Sequence, residues 1–257
     1  MDDPLALAPS TLRFGRGTPV MLLHGFCGGA DSWQPTAAHL SRRHEVIVPD
    51  WPGYGDSHAL APCATIEAMA ARVIALADAM ALDRFHVLGH SMSGFVVLEL
   101  LLRHPQRIGK AVLYGACLAM HGGGRFESAA DTLARIEHDG VEATARHVVA
   151  TWFVDGAGHP AFAPSAATGS RMSGRAAQAA MAACRDVDYS GRLDTVRSPT
   201  LVIAGERDRT APPETTLRLA RALPGSSLCV LPDCAHAAHL ERAGLFNQVV
   251  ADFFSGP

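Results

Sequence analysis

The chain has 257 residues, with 22 Lys and Arg against 25 Asp and Glu, a formal net charge of −3 with histidine neutral. Apolar residues make up 48% and charged residues 18%, which excludes a disordered chain, because disorder needs low hydrophobicity and high charge. The balance also argues against nucleic acid as the main partner, since phosphate neutralisation calls for clustered Lys and Arg, and the length suits one large α/β domain or two small ones.

Two textures alternate along the chain. Short apolar, β-branched runs bounded by turn residues predict strands at Val20–Leu23, Glu45–Val48, His86–Leu88, Ala111–Tyr114, Leu201–Ala204 and Leu228–Leu231. Several are apolar at consecutive positions, as strands buried on both faces should be. Between them, helical patterns are expected around Trp33–Arg42, Ile66–Met80, Gly94–Arg103, Glu214–Ala222 and Leu240–Phe254. The last carries Leu240, Leu245, Phe246, Val249, Val250, Phe253 and Phe254, one apolar stripe at helical spacing. Such alternation implies a mostly parallel sheet with helices on both faces.

The alternation breaks between Cys117 and Gly191. That stretch offers a helical pattern over Ser128–Phe153, a Gly-, Pro- and Ala-rich loop over Asp155–Gly169 and a second helical run over Arg171–Arg185. The simplest reading is a helical cap, residues 117–190, over a core made of 1–116 and 191–257. An ordinary pair of crossover helices with a loop is the alternative.

The acidic start Met1-Asp2-Asp3-Pro4 and the brief run Leu5–Ala8 lack the basic and long apolar regions of a signal peptide. The longest apolar stretch, Phe95–Leu102, is interrupted by Glu99 and falls well short of the ~18 residues of a membrane span. Six cysteines (27, 63, 117, 184, 229 and 234) are scattered with no C-x-x-C pair. A cytoplasmic protein with reduced thiols, not bound to a membrane, is expected. Cys234-x-His236 has no second ligand pair, so neither a metal nor a cofactor is expected.

The segment Val87-Leu88-Gly89-His90-Ser91-Met92-Ser93-Gly94 follows a predicted strand and opens a predicted helix. It matches the nucleophile-elbow pattern G-x-S-x-G, in which a serine on a sharp turn stands over the sheet edge, with Ser93 in place of the final glycine. The helix start behind Ser91 supplies unbonded N–H groups and positive dipole. His24-Gly25-Phe26-Cys27-Gly28-Gly29 follows the strand ending at Leu23. A turn there would set the Phe26 N–H beside the nucleophile, and with the Met92 N–H it would form a two-donor oxyanion hole.

With Pro49-Asp50-Trp51-Pro52-Gly53-Tyr54-Gly55-Asp56-Ser57, Pro199 to Asp208 and Ala235 to Glu241, these motifs resemble the α/β-hydrolase superfamily in its usual order. They are closest to its cap-bearing carboxylesterase, enol-lactonase and C–C hydrolase branch. The resemblance implies a mostly parallel sheet flanked by helices, with a cap inserted after strand 6. It also implies a triad in the order Ser, acid, His, mapped onto Ser91, Asp208 and His236. A serine hydroxyl needs a base to take its proton; His236 would serve, oriented by Asp208.

His239 and Glu206 compete for the base and acid roles. His90 is expected to point away from Ser91, His24 to buttress the oxyanion loop, and Asp50 and Asp56 to be structural. Met120, Trp152, Phe153 and Phe162 are candidates, with Phe26 and Met92, to line an apolar pocket. Arg125, Arg135, Arg146, Arg171, Arg175 and Arg185 could clamp a substrate carboxylate but are more simply solvated helix faces. The expected activity is hydrolysis of a small or medium carboxylic ester or lactone through an acyl-enzyme, by a monomer or homodimer. The alternatives are a C–C hydrolase of a diketone-type substrate and a ligand-binding sensor with slow hydrolysis. Haloalkane dehalogenases and the usual epoxide hydrolases are disfavoured, because they carry aspartate where Ser91 stands.

Overall fold

The computed structural model describes residues 11–120 and 126–256. The strands are β1 (Thr11–Phe14), β2 (Thr18–Leu23), β3 (His44–Pro49), β4 (Phe85–His90), β5 (Ile108–Tyr114), β6 (Thr200–Gly205) and β7 (Ser227–Leu231). The helices are α1 (Gln34–Leu40), α2 (Ile66–Ala79), α3 (Met92–Arg103), α4 (Ala129–Ala150), α5 (Phe162–Ser170), α6 (Gly174–Arg185), α7 (Pro213–Ala222), α8 (Ala238–Glu241) and α9 (Ala243–Ser255). The run Leu5–Ala8 and Arg125 lie outside the described residues.

The strands form one sheet in the order β1-β3-β2-β4-β5-β6-β7. Every pairing is parallel except the antiparallel β1 against β3. Successive strand residues face opposite sides, and the core divides accordingly. Met21, Leu23, Ile47, Val87, Leu113 and Val202 pack with α2, α3 and α4 to α7. Val20, Leu22, Val46, Val48, Leu88, Val112, Leu201 and Ile203 pack with α1 and α9.

The sequence missed β1, a short edge strand whose residues are mostly half-buried and which therefore lacks a clean apolar run. The helix expected over Leu240–Phe254 is two pieces, broken at Arg242 (φ −126°, ψ 42°). That expected over Trp33–Arg42 is a 3₁₀ turn at Ala30–Trp33 followed by α1.

The inserted segment follows the fifth described strand, not a sixth, because the described sheet begins at Thr11. Its first helix, α4, starts with a capping box between Ser128 and Asp131 and is broken at Gly140 (φ 82°, ψ 176°), a conformation essentially confined to glycine. The loop expected over Asp155–Gly169 contains α5 instead. Its alanines favour a helix, and Pro164, in the first turn, removes an N–H that has no helical partner there. Ser173 caps α6 by accepting from the Ala176 N–H, and its own N–H donates to Gly53 O (2.8 Å), joining insert to sheet. Among the described residues no helix is long and apolar enough to cross a membrane.

Candidate active site

Four strands deliver polar groups to one edge of the sheet. β2 ends before His24, β4 before Ser91, β6 three residues before Asp208 and β7 five residues before His236. These are the carboxyl ends of parallel strands, where open α/β sheets place their ligands.

Ser91 is held at φ 54°, ψ −116°, a strained conformation for a residue with a Cβ. Its N–H donates to Tyr114 O at the end of β5 (2.8 Å), and its carbonyl accepts from the Gly94 N–H (2.8 Å). The turn requires Gly89, where a Cβ would stand 2.4 Å from Ser93 O. Serine at 93, the departure from the sequence pattern, has its own task. Its buried hydroxyl donates to His24 O (2.5 Å) and accepts from Trp51 Nε1 (3.1 Å), tying the elbow to the loop after β2.

That loop is fixed by His24. The Trp51 N–H donates to His24 Nε2 (3.1 Å), so Nδ1 carries the proton and donates to Gly25 O (2.9 Å). Burial lowers the His24 pKa, which the nearby Asp50 only partly offsets, so the ring stays neutral. Gly25 O also accepts from the Gly28 N–H (3.0 Å). Because a trans peptide points its carbonyl and N–H in opposite directions, the Phe26 N–H faces away from those partners. Met92, first residue of α3, has an N–H with no acceptor one turn back. Phe26, Ser91 and Met92 line one cavity.

His236 Nδ1 donates to Asp208 Oδ2 at 2.7 Å, with both side chains buried. The other oxygen, Oδ1, accepts from the Thr210 and Ala211 N–H groups (2.7 and 2.9 Å), which fixes the carboxylate plane. The His236 carbonyl accepts from His90 Nε2 (3.0 Å) and Tyr114 Oη (2.5 Å). His236 Nε2 lies on the ring's other side, and the residue lines the same cavity as Ser91. Burial pushes the His90 pKa well down, helped by His236 and His239, so this ring is a neutral donor to the loop that carries His236.

The rivals sit elsewhere. His239 lies 3.3 Å from Tyr114 Oη and packs on Trp33 at 4.7 Å between ring centres, its pKa lowered to about 3 by burial and by His236. Glu206 accepts from the Asp233 N–H (3.0 Å). Asp50 accepts from the Ala30 and Asp56 N–H groups, and Asp56 pairs with Arg171. Cys234 Sγ donates to Leu231 O (3.3 Å), while the His236 ring turns to Asp208.

The cavity has about 30 Å³ of room, space for roughly two waters. Of the residues proposed for its wall, Phe26, Met92, Met120 and Trp152 line it. Phe153 and Phe162 do not: Phe153 stacks on His159 at 4.5 Å, and Phe162 lies under the Arg146 guanidinium at 5.3 Å. Sequence reasoning missed Phe95, Cys117, Val148, Met181 and Cys184 as lining residues. Their local pattern is that of ordinary core; Phe95 comes from α3, and the other four reach the cavity from the inserted segment. Among the described residues no Lys or Arg lines the cavity. Arg135 pairs with Glu127, Arg171 with Asp31 and Asp56, and Arg185 with Asp186, while Arg175 is exposed.

Residues 18–243 match the family model for the α/β hydrolase fold. The chain belongs to the α/β-hydrolase family. Over 91% of its length it is 30% identical to the provisionally named carbamate hydrolase RutD of Agrobacterium fabrum, covering 92% of that protein. It is 28% identical to a 2-hydroxy-6-oxononadienedioate/2-hydroxy-6-oxononatrienedioate hydrolase of Dechloromonas aromatica, over 92% of this chain and 86% of that one. The solved enol-lactonase of Burkholderia xenovorans superposes with a TM-score of 0.88 at 25% identity, covering 96% of each chain. Like these relatives, this α/β hydrolase is a hydrolase.

Proposed function

We propose that this α/β hydrolase cleaves a small or medium carboxylic ester or lactone through an acyl-enzyme, with Ser91, His236 and Asp208 as its triad. The observation that carries the reading is the 2.7 Å bond from His236 to a carboxylate fixed by two backbone N–H groups, in a cavity shared with a serine on a strained turn. In the first step His236 Nε2 takes the Ser91 proton as Oγ attacks the substrate carbonyl carbon. The oxygen that gains the charge is met by the N–H groups of Phe26 and Met92; one such donor contributes about 3 kcal/mol. The imidazolium, stabilised by Asp208, gives its proton to the leaving alcohol as the ester C–O bond breaks. Water then repeats the sequence on the acyl-enzyme and frees Ser91.

Residues 117–190 act as the cap in this reading, supplying Met120, Val148, Trp152, Met181 and Cys184 to the wall. Those side chains suit an uncharged acyl group. The cytoplasm fits a chain whose six cysteines form no disulfide among the described residues. Similarity to a C–C hydrolase supports a second reading, cleavage of a vinylogous diketone by the same triad. A dienedioate carries two carboxylates, and the apolar wall favours the ester.

Fluorophosphonate labelling with peptide mapping tests the nucleophile, and modification is expected at Ser91. A panel of p-nitrophenyl esters, lactones, carbamates and a vinylogous diketone tests the bond cleaved. Short neutral esters or lactones are expected to turn over fastest, and preferential diketone or carbamate cleavage would replace the proposed substrate class.

A further inference from the structure

The loop that carries His236 is tied down at three successive residues, and two of the ties lead into the insert. Ala235 N–H donates to Glu241 Oε2 (2.6 Å), the His236 carbonyl takes the bonds from His90 and Tyr114, and Ala237 N–H donates to Trp152 O (2.9 Å). The second Glu241 oxygen, Oε1, accepts from the Val154 N–H (2.8 Å). One carboxylate therefore bridges the residue before the base and the turn that follows α4. That turn also carries Trp152, which lines the cavity, its ring centre 6.3 Å from that of His236.

The geometry points to Glu241 as a positioning residue that locks the seat of the cap to the seat of the base, an inference that rests on the reading of His236 as base. Two backbone donors converge on it from separate segments, and only an ionised carboxylate offers an acceptor on each oxygen at full charge. Glutamine would set an NH2 against one of the two N–H groups, leaving that donor unmet. Aspartate keeps the charge but is one methylene too short to reach both. Glu241 stands five residues after His236 and one turn along α8, whose Glu241 N–H donates to Ala237 O (3.0 Å). The same short turn thus presents the carboxylate back to the loop that starts it.

The experiment is Glu241→Gln and Glu241→Asp, each assayed per titrated active site with a p-nitrophenyl ester and each repeated in a His236→Ala background. A misplacement near 1 Å can cost about 100-fold in rate. Both variants are therefore expected to lose about 10- to 100-fold in kcat with KM within about twofold of the parent. In the His236→Ala background the same changes should leave the residual rate unaltered, because Glu241 acts only through that ring. A parent-like kcat in either variant overturns the inference. So does an equal loss in the His236→Ala background, which would mark a general structural role. Ser91→Ala separates the two levels. If it keeps the parent's rate, the reading of the triad fails and takes this inference with it. If it is inactive while Glu241→Gln is parent-like, the inference alone fails.

Discussion

The two walls of the cavity are built by different physics. On the sheet side each polar group is over-determined: Asp208 accepts two backbone N–H groups besides His236, His24 is fixed through both ring nitrogens, and Ser93 bridges two loops. On the side of the inserted segment the wall is Met120, Val148, Trp152, Met181 and Cys184, side chains that fill space without fixing a direction. Methionine in particular adapts to irregular shapes. In the proposed reaction the sheet side would set what chemistry is possible, and the inserted segment would set which acyl group reaches it.

The contrast breaks most severely at the sheet. Ser91→Ala should lower kcat by about 10⁶-fold and Asp208→Asn by about 10⁴-fold, since the second leaves a base with the wrong tautomer. Steady-state ester hydrolysis checks both, and residual rates within tenfold of the parent would remove these residues from the mechanism.

The same substitution at two glycines sharpens the comparison. Gly115 has φ +57°, and a Cβ there would lie 2.9 Å from His236 Cε1. Gly115→Ala should displace the base and cost about 100-fold in kcat. Gly140, inside α4, has φ +82° with nothing within 4 Å of a Cβ. Gly140→Ala should cost about 1–3 kcal/mol of stability in urea unfolding, with kcat unchanged. Equal effects of the two on kcat would contradict the division of labour.

At the cap wall, Met181→Ala should shift preference toward longer acyl chains. Each methylene accommodated is worth about 1–3 kcal/mol in kcat/KM, read by comparing acetyl, butyryl and hexanoyl esters. An unchanged chain-length profile would place the acyl group elsewhere.

A further comparison concerns pH. His239 titrates near 3 in the folded chain through burial and the neighbouring His236, against 6.5 when unfolded. His24 and His90 are lowered in the same direction, chiefly by burial. Between about pH 6.5 and 3 the unfolded chain therefore binds more protons, so stability is full above 6.5 and declines as the pH falls through that window. The urea midpoint should be lower at pH 5 than at pH 7.5, and His239→Asn should make the slope shallower. A flat profile would mean that these rings take up protons as readily in the folded chain as in the unfolded one.

The elbow, the glycine turn after β2 and the six strands β2 to β7 were legible because short-range chemistry dictates them. Gly89 and Ser91 declare a sharp turn, and runs such as Val20–Leu23 can only be buried. Other features were not legible for equally local reasons. The break at Gly140 looked like one more helical residue, and α5 was hidden behind a Gly- and Pro-rich composition. Phe153 and Phe162 were as plausible for the wall as Trp152, until the turn after α4 aimed Trp152 inward and Phe153 at His159, and the start of α5 set Phe162 under Arg146.

By itself the sequence determined the fold class and nominated a serine, a histidine and an aspartate, because apolar runs and sharp turns are fixed by neighbours within a few residues. Only the tertiary structure decided that His236 and not His239 faces Asp208, and that a glutamate from α8 bridges the loop of His236 and the turn after α4. Those outcomes depend on which side chains meet across 28 to 87 residues of chain, a matter settled by packing and by the accounting of buried hydrogen bonds, not by local propensity.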